Sequence, residues 1–222
     1  RAKWFDYVYV IMLQVICFAF TGGRLSFGLG IAMVVVIGLV SHFQIDVCAK
    51  GVGTIAALSF VICFIVSFIL VIAYNPENDA LLSLDTLLDG RLRLGSDAIH
   101  SYGIGLFSQD VLFVGNTLTA EGILDQPAQY NYVDALFVQM SIKCGLLYTL
   151  FVLYVITKTA FIVKSKKDNI MLLIIVFLAL RSLIDDLAMN LYFDPFILIS
   201  SLAVKFMMES KKTKVMYKWA DK

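Results

Sequence analysis

Charge is what this sequence has least of: acidic and basic residues together make up 16% of its 222 residues, well below the roughly 25% of an ordinary soluble domain. Hydrophobic residues reach 60% and mean hydropathy is +0.85, more than one soluble core of this size could hide. The four cysteines, Cys17, Cys48, Cys63 and Cys144, have no paired spacing and fall mostly inside apolar runs. They read as small core residues, which excludes a disulfide framework and a zinc site. The scattered acids also lack metal-binding spacing, so chemistry without metal or cofactor is expected. The ten-residue alternation of a membrane β-barrel is missing, which leaves helices as the way through lipid. A cleavable signal is missing too, and the chain opens on Arg1, so the sequence reads as part of a longer protein.

What is present is a series of apolar runs, at about 5–20, 25–41, 52–74, 144–163, 170–190 and 195–208, each near the length that crosses ~30 Å of hydrocarbon, the last one short. The expected fold is all-α: a polytopic membrane protein of about six transmembrane helices, with one large external loop between spans three and four. Residues 1–74 would hold three spans and a short external turn at 21–24, residues 75–132 the extracytoplasmic loop, and residues 133–222 the last three spans and a basic tail. Placing both ends in the cytoplasm puts Arg1, Lys3, Lys50, Lys158, Lys164, Lys166, Lys167, Lys205 and the tail lysines inside and leaves Arg24, Arg91 and Arg93 outside, as the positive-inside rule demands. The net charge of +1 therefore conceals an end-to-end asymmetry that points to membrane topology and away from nucleic acid.

The hydrated chemistry has to sit in the long polar stretch. Between Pro76 and Tyr130 it carries eight acids against Arg91 and Arg93, whereas a loop that merely binds lipid would be basic. Asp89-Gly90-Arg91 reads as a turn opening a helix to about Tyr102, on which Arg93, Asp97 and His100 share a face. The glycines and aromatics of 103–115 predict a loop folded back on the bundle. A helix beginning in Tyr130-Asn-Tyr-Val-Asp134 would carry Gln139 and Lys143 four apart. Its Asp134 is either a helix-start acid favoured by the macrodipole or part of a cavity wall. Arg24, after Gly22-Gly23, is either an interfacial arginine reaching for headgroups or an anion contact at the outer leaflet. Arg181 and Asp185, an i, i+4 pair, form either a structural clamp or part of a substrate cavity.

These residues carry a resemblance. Leu88-Leu-Asp-Gly-Arg-Leu, then Ala98-Ile-His-Ser-Tyr-Gly, Leu106-Phe-Ser-Gln109 and Tyr130-Asn-Tyr-Val-Asp134 with Gln139 and Gly145 follow one another as in the large external loop of the Wzy-type polysaccharide polymerases. Thr21-Gly-Gly-Arg24 is similar to a turn shared with the O-antigen ligases, and 180–197 resembles the family's penultimate span. The resemblance covers nearly the whole chain, as the C-terminal portion of such a protein.

The resemblance implies a membrane glycosyltransferase at the outer face of the bacterial plasma membrane. It would pass the oligosaccharide of one undecaprenyl diphosphate to the non-reducing end of a second lipid-linked repeat, building capsular or exopolysaccharide. The implied partners are that lipid-linked oligosaccharide, the bilayer, and the flippase and chain-length regulator of the same pathway. Arg91 and Arg24 would stabilise the departing diphosphate, with Arg93 as a second contact, because a guanidinium stays charged and grips phosphate oxygens with two donors. His100 or Asp134 would be the base for the acceptor hydroxyl. Tyr102, Gln109, Tyr132, Gln139, Arg181 and Asp185 would contact substrate. Two other readings stay open: a ligase-like transfer to another acceptor, and a transporter or flippase half, for which functional charges near the bilayer midplane are expected.

Overall fold

The structure, a computed structural model, describes residues 4–21, 24–115, 117–118, 124–125 and 130–186. The expected span at 195–208 and the lysine-rich tail lie outside the described residues. Among the described residues the chain is all-helical, with nine α-helices: α1 Trp4–Thr21, α2 Arg24–Phe43, α3 Lys50–Ala57, α4 Ser59–Ile72, α5 Asp79–Leu87, α6 Arg91–Tyr102, α7 Leu136–Lys143, α8 Leu146–Ser165 and α9 Asn169–Arg181. A two-residue antiparallel ladder, β1 Thr117–Leu118 with β2 Leu124–Asp125, pairs Thr117 with Asp125.

Two helices form the spine. α4 and α9 pack on each other and on α8, while α3 joins α8 and α9 and α2 lies along α9. Their shared core holds Phe60, Leu153, Leu172 and Ile175, with Phe137 reaching in from α7 to meet the rings of Phe60 and Phe64 edge-on. A second core, Val71, Leu92, Ala98, Val133, Val138 and Ile142, sits at one end and fastens α6 and α7 onto the end of α4. Gly95 allows this approach, since a Cβ there would stand 3.1 Å from Val71.

The third apolar run is not one straight helix. It bends by 56° between α3 and α4, with no proline at the break. Leu58 leaves helical geometry (φ −90°, ψ 2°), and a Cβ at Gly53 would collide with the Cys48 backbone. The chain entering α3 is thus folded tightly against its first turns. At the break the Leu58 N–H is shared between the Thr54 (3.0 Å) and Ile55 (3.1 Å) carbonyls, a local 3₁₀-like tightening of the last turn of α3. Among the described residues one helix, Leu146–Ser165, is long and apolar enough to cross a membrane, or two if the bent pair counts as one span; α9 and the apolar parts of α1 and α2 are shorter. At ~1.5 Å per residue α8 reaches about 30 Å.

The two ends of the bundle differ. At one, Cys48 N–H donates to Asn169 Oδ1 (3.0 Å) and Lys164 Nζ donates to Thr54 Oγ1 (2.7 Å), so the α2–α3 turn and the α8–α9 turn meet among Lys50, Lys164, Lys166 and Lys167. The other end gathers α5, α6, α7, the loop from Gly103 to Gly115 and the turn after α9. Between the ends, large apolar side chains face outward, among them Val52 (60% exposed), Ile69 (59%) and Phe151 (62%).

Candidate functional site

The site is built on the start of α6, and the chain caps that start from a distance. Asp89 (φ 54°) and Gly90 (φ 81°) both take left-handed backbone. This closes α5 with a Gly90 N–H bond to the Asp85 carbonyl (2.8 Å). Gly90 offers α6 no side-chain cap. Asp85, buried at 6% exposure, supplies it: one carboxylate oxygen accepts from Leu92 N–H (2.9 Å) and Arg93 N–H (3.0 Å). The second oxygen meets Tyr74 Oη at 3.4 Å. An acid on the first-turn amides satisfies otherwise orphaned donors and complements the helix dipole. The consequence is a fixed direction for Arg91, the first residue of the helix.

Opposite it, residues 130–135 are extended; helix α7 begins only at Leu136, later than the sequence suggests. The reason is lateral pairing. Asn131 N–H donates to the Val114 carbonyl (3.2 Å), its Oδ1 accepts from Val114 N–H (2.6 Å), and its Nδ2 donates to Tyr102 Oη (3.0 Å). The extended strip aims Asp134 at α6, where Oδ2 accepts from Arg91 Nε at 3.2 Å. Among the described residues, buried Arg91 Nη1 has no hydrogen-bond partner.

The turn after α9 closes the third side. Leu136 N–H donates to the Ser182 carbonyl (3.2 Å), which brings the acids after Arg181 beside α7. Asp186 Oδ2 accepts from the Tyr132 hydroxyl and from Gln139 Nε2 (3.1 Å). Arg181 holds Asp185 Oδ2 through Nε (3.3 Å) and Nη2 (3.2 Å). Three carboxylates thus face two guanidiniums in a half-buried space. Burial pushes the Asp134 carboxyl above its ordinary value, against the pull of Arg91 and with added repulsion from Asp186 and Asp185. The Tyr132 hydroxyl is pushed up to about 12 by burial and by its bond to Asp186. Burial also raises Tyr130, and Asp134 adds to that shift.

The remaining expected site residues are placed as follows. Arg24 opens α2; its side chain lies outside the described residues. Arg93 is exposed, two residues along α6 from Arg91. His100 Nδ1 donates to the Ser96 carbonyl (2.8 Å) and lies nine residues, about 13 Å of helix, from Arg91. Gln109 folds onto the end of α6, accepting from Gly105 N–H (2.7 Å) and donating to the Tyr102 carbonyl (3.1 Å). Its own N–H donates to the Lys143 carbonyl (3.0 Å), so it ties the returning loop to α7. One group therefore gathers Arg91, Asp134, Tyr132, Gln139, Arg181 and Asp185, while His100, Tyr102 and Gln109 stand farther along α6. Asp85, Asp186, Tyr130 and Asn131 were not singled out by sequence. The tandem Asp185-Asp186 at the end of an apolar run was the available signal for Asp186.

Among the described residues no group of three or more His, Cys, Asp or Glu is arranged to hold a metal ion. The fold and site thus define an all-helical protein, among the described residues, with a half-buried arginine–carboxylate cluster at one end of an apolar bundle. Neither a family model, nor a curated protein, nor a solved structure matches this chain.

Proposed function

We propose that this chain is the C-terminal part of a multi-pass bacterial plasma-membrane glycosyltransferase that polymerises undecaprenyl-diphosphate-linked oligosaccharide repeats at the outer face. The observation that carries the reading is the Arg91 guanidinium. It is fixed at a capped helix start, bonded through Nε to Asp134, and keeps a second nitrogen buried without a partner among the described residues. A buried donor without an acceptor costs ~1–3 kcal/mol, and a phosphate oxygen is an acceptor of the right charge. Asp134 beside it is the better base of the two candidates. It touches the guanidinium, and its raised pKa moves it toward the range useful for proton transfer, whereas His100 is about 13 Å along the helix.

The membrane setting is supported by the outward apolar faces of α3, α4 and α8, since patches of that extent on a protein surface need a partner or lipid. The orientation is supported by the lysine-rich turns at the end opposite the site. In this reading the six spans of the sequence include α1, α2, the bent α3–α4 pair, α8 and a fifth that begins with α9. The apolar bundle holds the polyprenyl tail, and Arg91 takes the charge that develops on the leaving diphosphate.

The test is the ladder of lipid-linked glycan in cells. Arg91→Ala is expected to leave single repeats accumulating on the outer face, and Arg91→Lys to restore little, because an ammonium keeps the charge but loses the planar fork. A normal ladder in Arg91→Ala removes the assignment, and repeats trapped inside the cell indicate translocation instead.

A further inference from the structure

A second feature on α6 lies outside the chemistry assigned to Arg91 and Asp134. Leu94, Asp97, Ala98 and Ser101, at helical positions i, i+3, i+4 and i+7, line a cleft of about 270 Å³ together with Tyr102, Tyr130 and Asn131. Tyr102 is held in place: its hydroxyl accepts from Asn131 Nδ2 (3.0 Å), and its ring meets Phe113 edge-on, with centroids 5.9 Å apart. Because that hydroxyl is accepting, its own proton is available to donate into the cleft. Tyr102 and Tyr130 keep 36% and 40% of their surface exposed.

We propose that this cleft is a sugar-ring subsite, in which Tyr130 supplies an apolar face, and Asp97, Ser101 and the Tyr102 hydroxyl bind ring hydroxyls. The chemistry selects a neutral polyol. A carboxylate acceptor, a two-way hydroxyl and a phenolic donor match groups that are both donors and acceptors, and a tyrosine ring offers flat area with a polar tip. Anions are disfavoured, because the Asp97 carboxylate lines the cleft. The volume falls below the roughly 300–1,000 Å³ of pockets for drug-sized ligands, and so suits one ring better than a chain. Leu94 follows Arg91 by one helical turn, about 4.5 Å of rise, so a ring here is within reach of a headgroup at Arg91. The inference rests on the proposed function for that placement, but ring recognition is tested apart from it.

The experiment is saturation-transfer NMR on the full chain in lipid nanodiscs, with the methyl glycosides of glucose, galactose, rhamnose and N-acetylglucosamine as probes. Transfer to at least one glycoside is expected. Asp97→Asn, a change of one atom at an exposed position, is expected to weaken it about tenfold, the worth of one hydrogen bond to a charged group. Tyr130→Ala is expected to abolish it. No transfer to any of the four, or transfer that both variants leave unchanged, overturns the subsite. Arg91→Ala is expected to lose undecaprenyl diphosphate and keep the glycoside signal. Diphosphate binding that ignores Arg91 would remove the headgroup reading, and the ring site would then stand on the glycoside data alone. Undecaprenyl-diphosphate-linked N-acetylglucosamine separates the sources: displacement of the glycoside assigns the ring to the donor, and co-binding assigns it to the acceptor glycan.

Discussion

Asp134 carries two loads that oppose each other. Its contact with Arg91 favours the charged form, while its burial and the neighbouring Asp186 and Asp185 favour the neutral one, and burial is the largest of these effects. The folded chain therefore keeps the Asp134 proton to a higher pH than the unfolded chain does. With the pKa raised above 3.8, this group's stabilising contribution is complete below that value and is lost as pH rises through the folded one, the reverse of an ordinary paired carboxylate. Removing the ionisable group should remove the slope. Thermal unfolding followed from pH 3.5 upward is expected to show a smaller loss of Tm in Asp134→Asn than in the parent. Asparagine keeps an acceptor for Arg91 Nε, so the arginine stays in place. In the proposed function the same proton would govern access to Arg91: undecaprenyl diphosphate should bind the parent more tightly as pH falls and bind Asp134→Asn without that trend. A variant with the parent's slope in both measurements would mean that Asp134 does not control the arginine.

The hand-over from α5 to α6 sets where that arginine points, and it depends on an acid that belongs to the preceding helix. Asp85→Ala would leave the Leu92 and Arg93 amides at the first turn without their acceptor. The loss of a cap of this kind costs about 0.5–2 kcal/mol. Asp85→Asn, which keeps one oxygen for the same amides, should recover part of the loss. Denaturant unfolding in detergent measures both, and equal stability for Asp85→Ala and the parent would show that the cap contributes nothing. Helix α6 itself was legible, because Asp89-Gly90 is a turn signal and the next twelve residues suit one helix from Arg91 to Tyr102. The folded-back loop was legible from its glycines and aromatics, and it does return, with Leu146 N–H on the Gly105 carbonyl at 2.9 Å. The distant cap was not, since nothing local distinguishes Asp85 from the seven other acids of the loop. Nor was the bend at Leu58, where no proline stands and no local turn signal marks the break between α3 and α4. The late start of α7 depends on pairing with Val114, seventeen residues away, and the Tyr132–Asp186 bond spans fifty-four. Local periodicity carries no record of either.

Across the whole molecule, the asymmetry of charge that hydropathy and lysine positions suggested has a structural counterpart. The α2–α3 and α8–α9 turns meet at one end through Lys164 and Thr54, and the arginine–carboxylate cluster and the acidic α4–α5 turn are at the other. If the bundle spans the membrane as proposed, these ends see different compartments. Glu77, exposed in the turn before α5, and Ser165, exposed at the end of α8, then make a pair of reporters. In intact cells a membrane-impermeant maleimide should label Glu77→Cys above its parent, in a Cys144→Ser background that removes the thiol exposed among the described residues. Ser165→Cys should label only after permeabilisation, since the proposed orientation puts the lysines around it in the cytoplasm. The opposite pattern would place Arg91 inside. No diphosphate-linked glycan on the outer leaflet could then reach it, and the polymerase reading would fail even if every contact around Arg91 were as described. Labelling of both positions in intact cells would be as damaging, since it would mean that the apolar faces of α3, α4 and α8 do not separate two compartments.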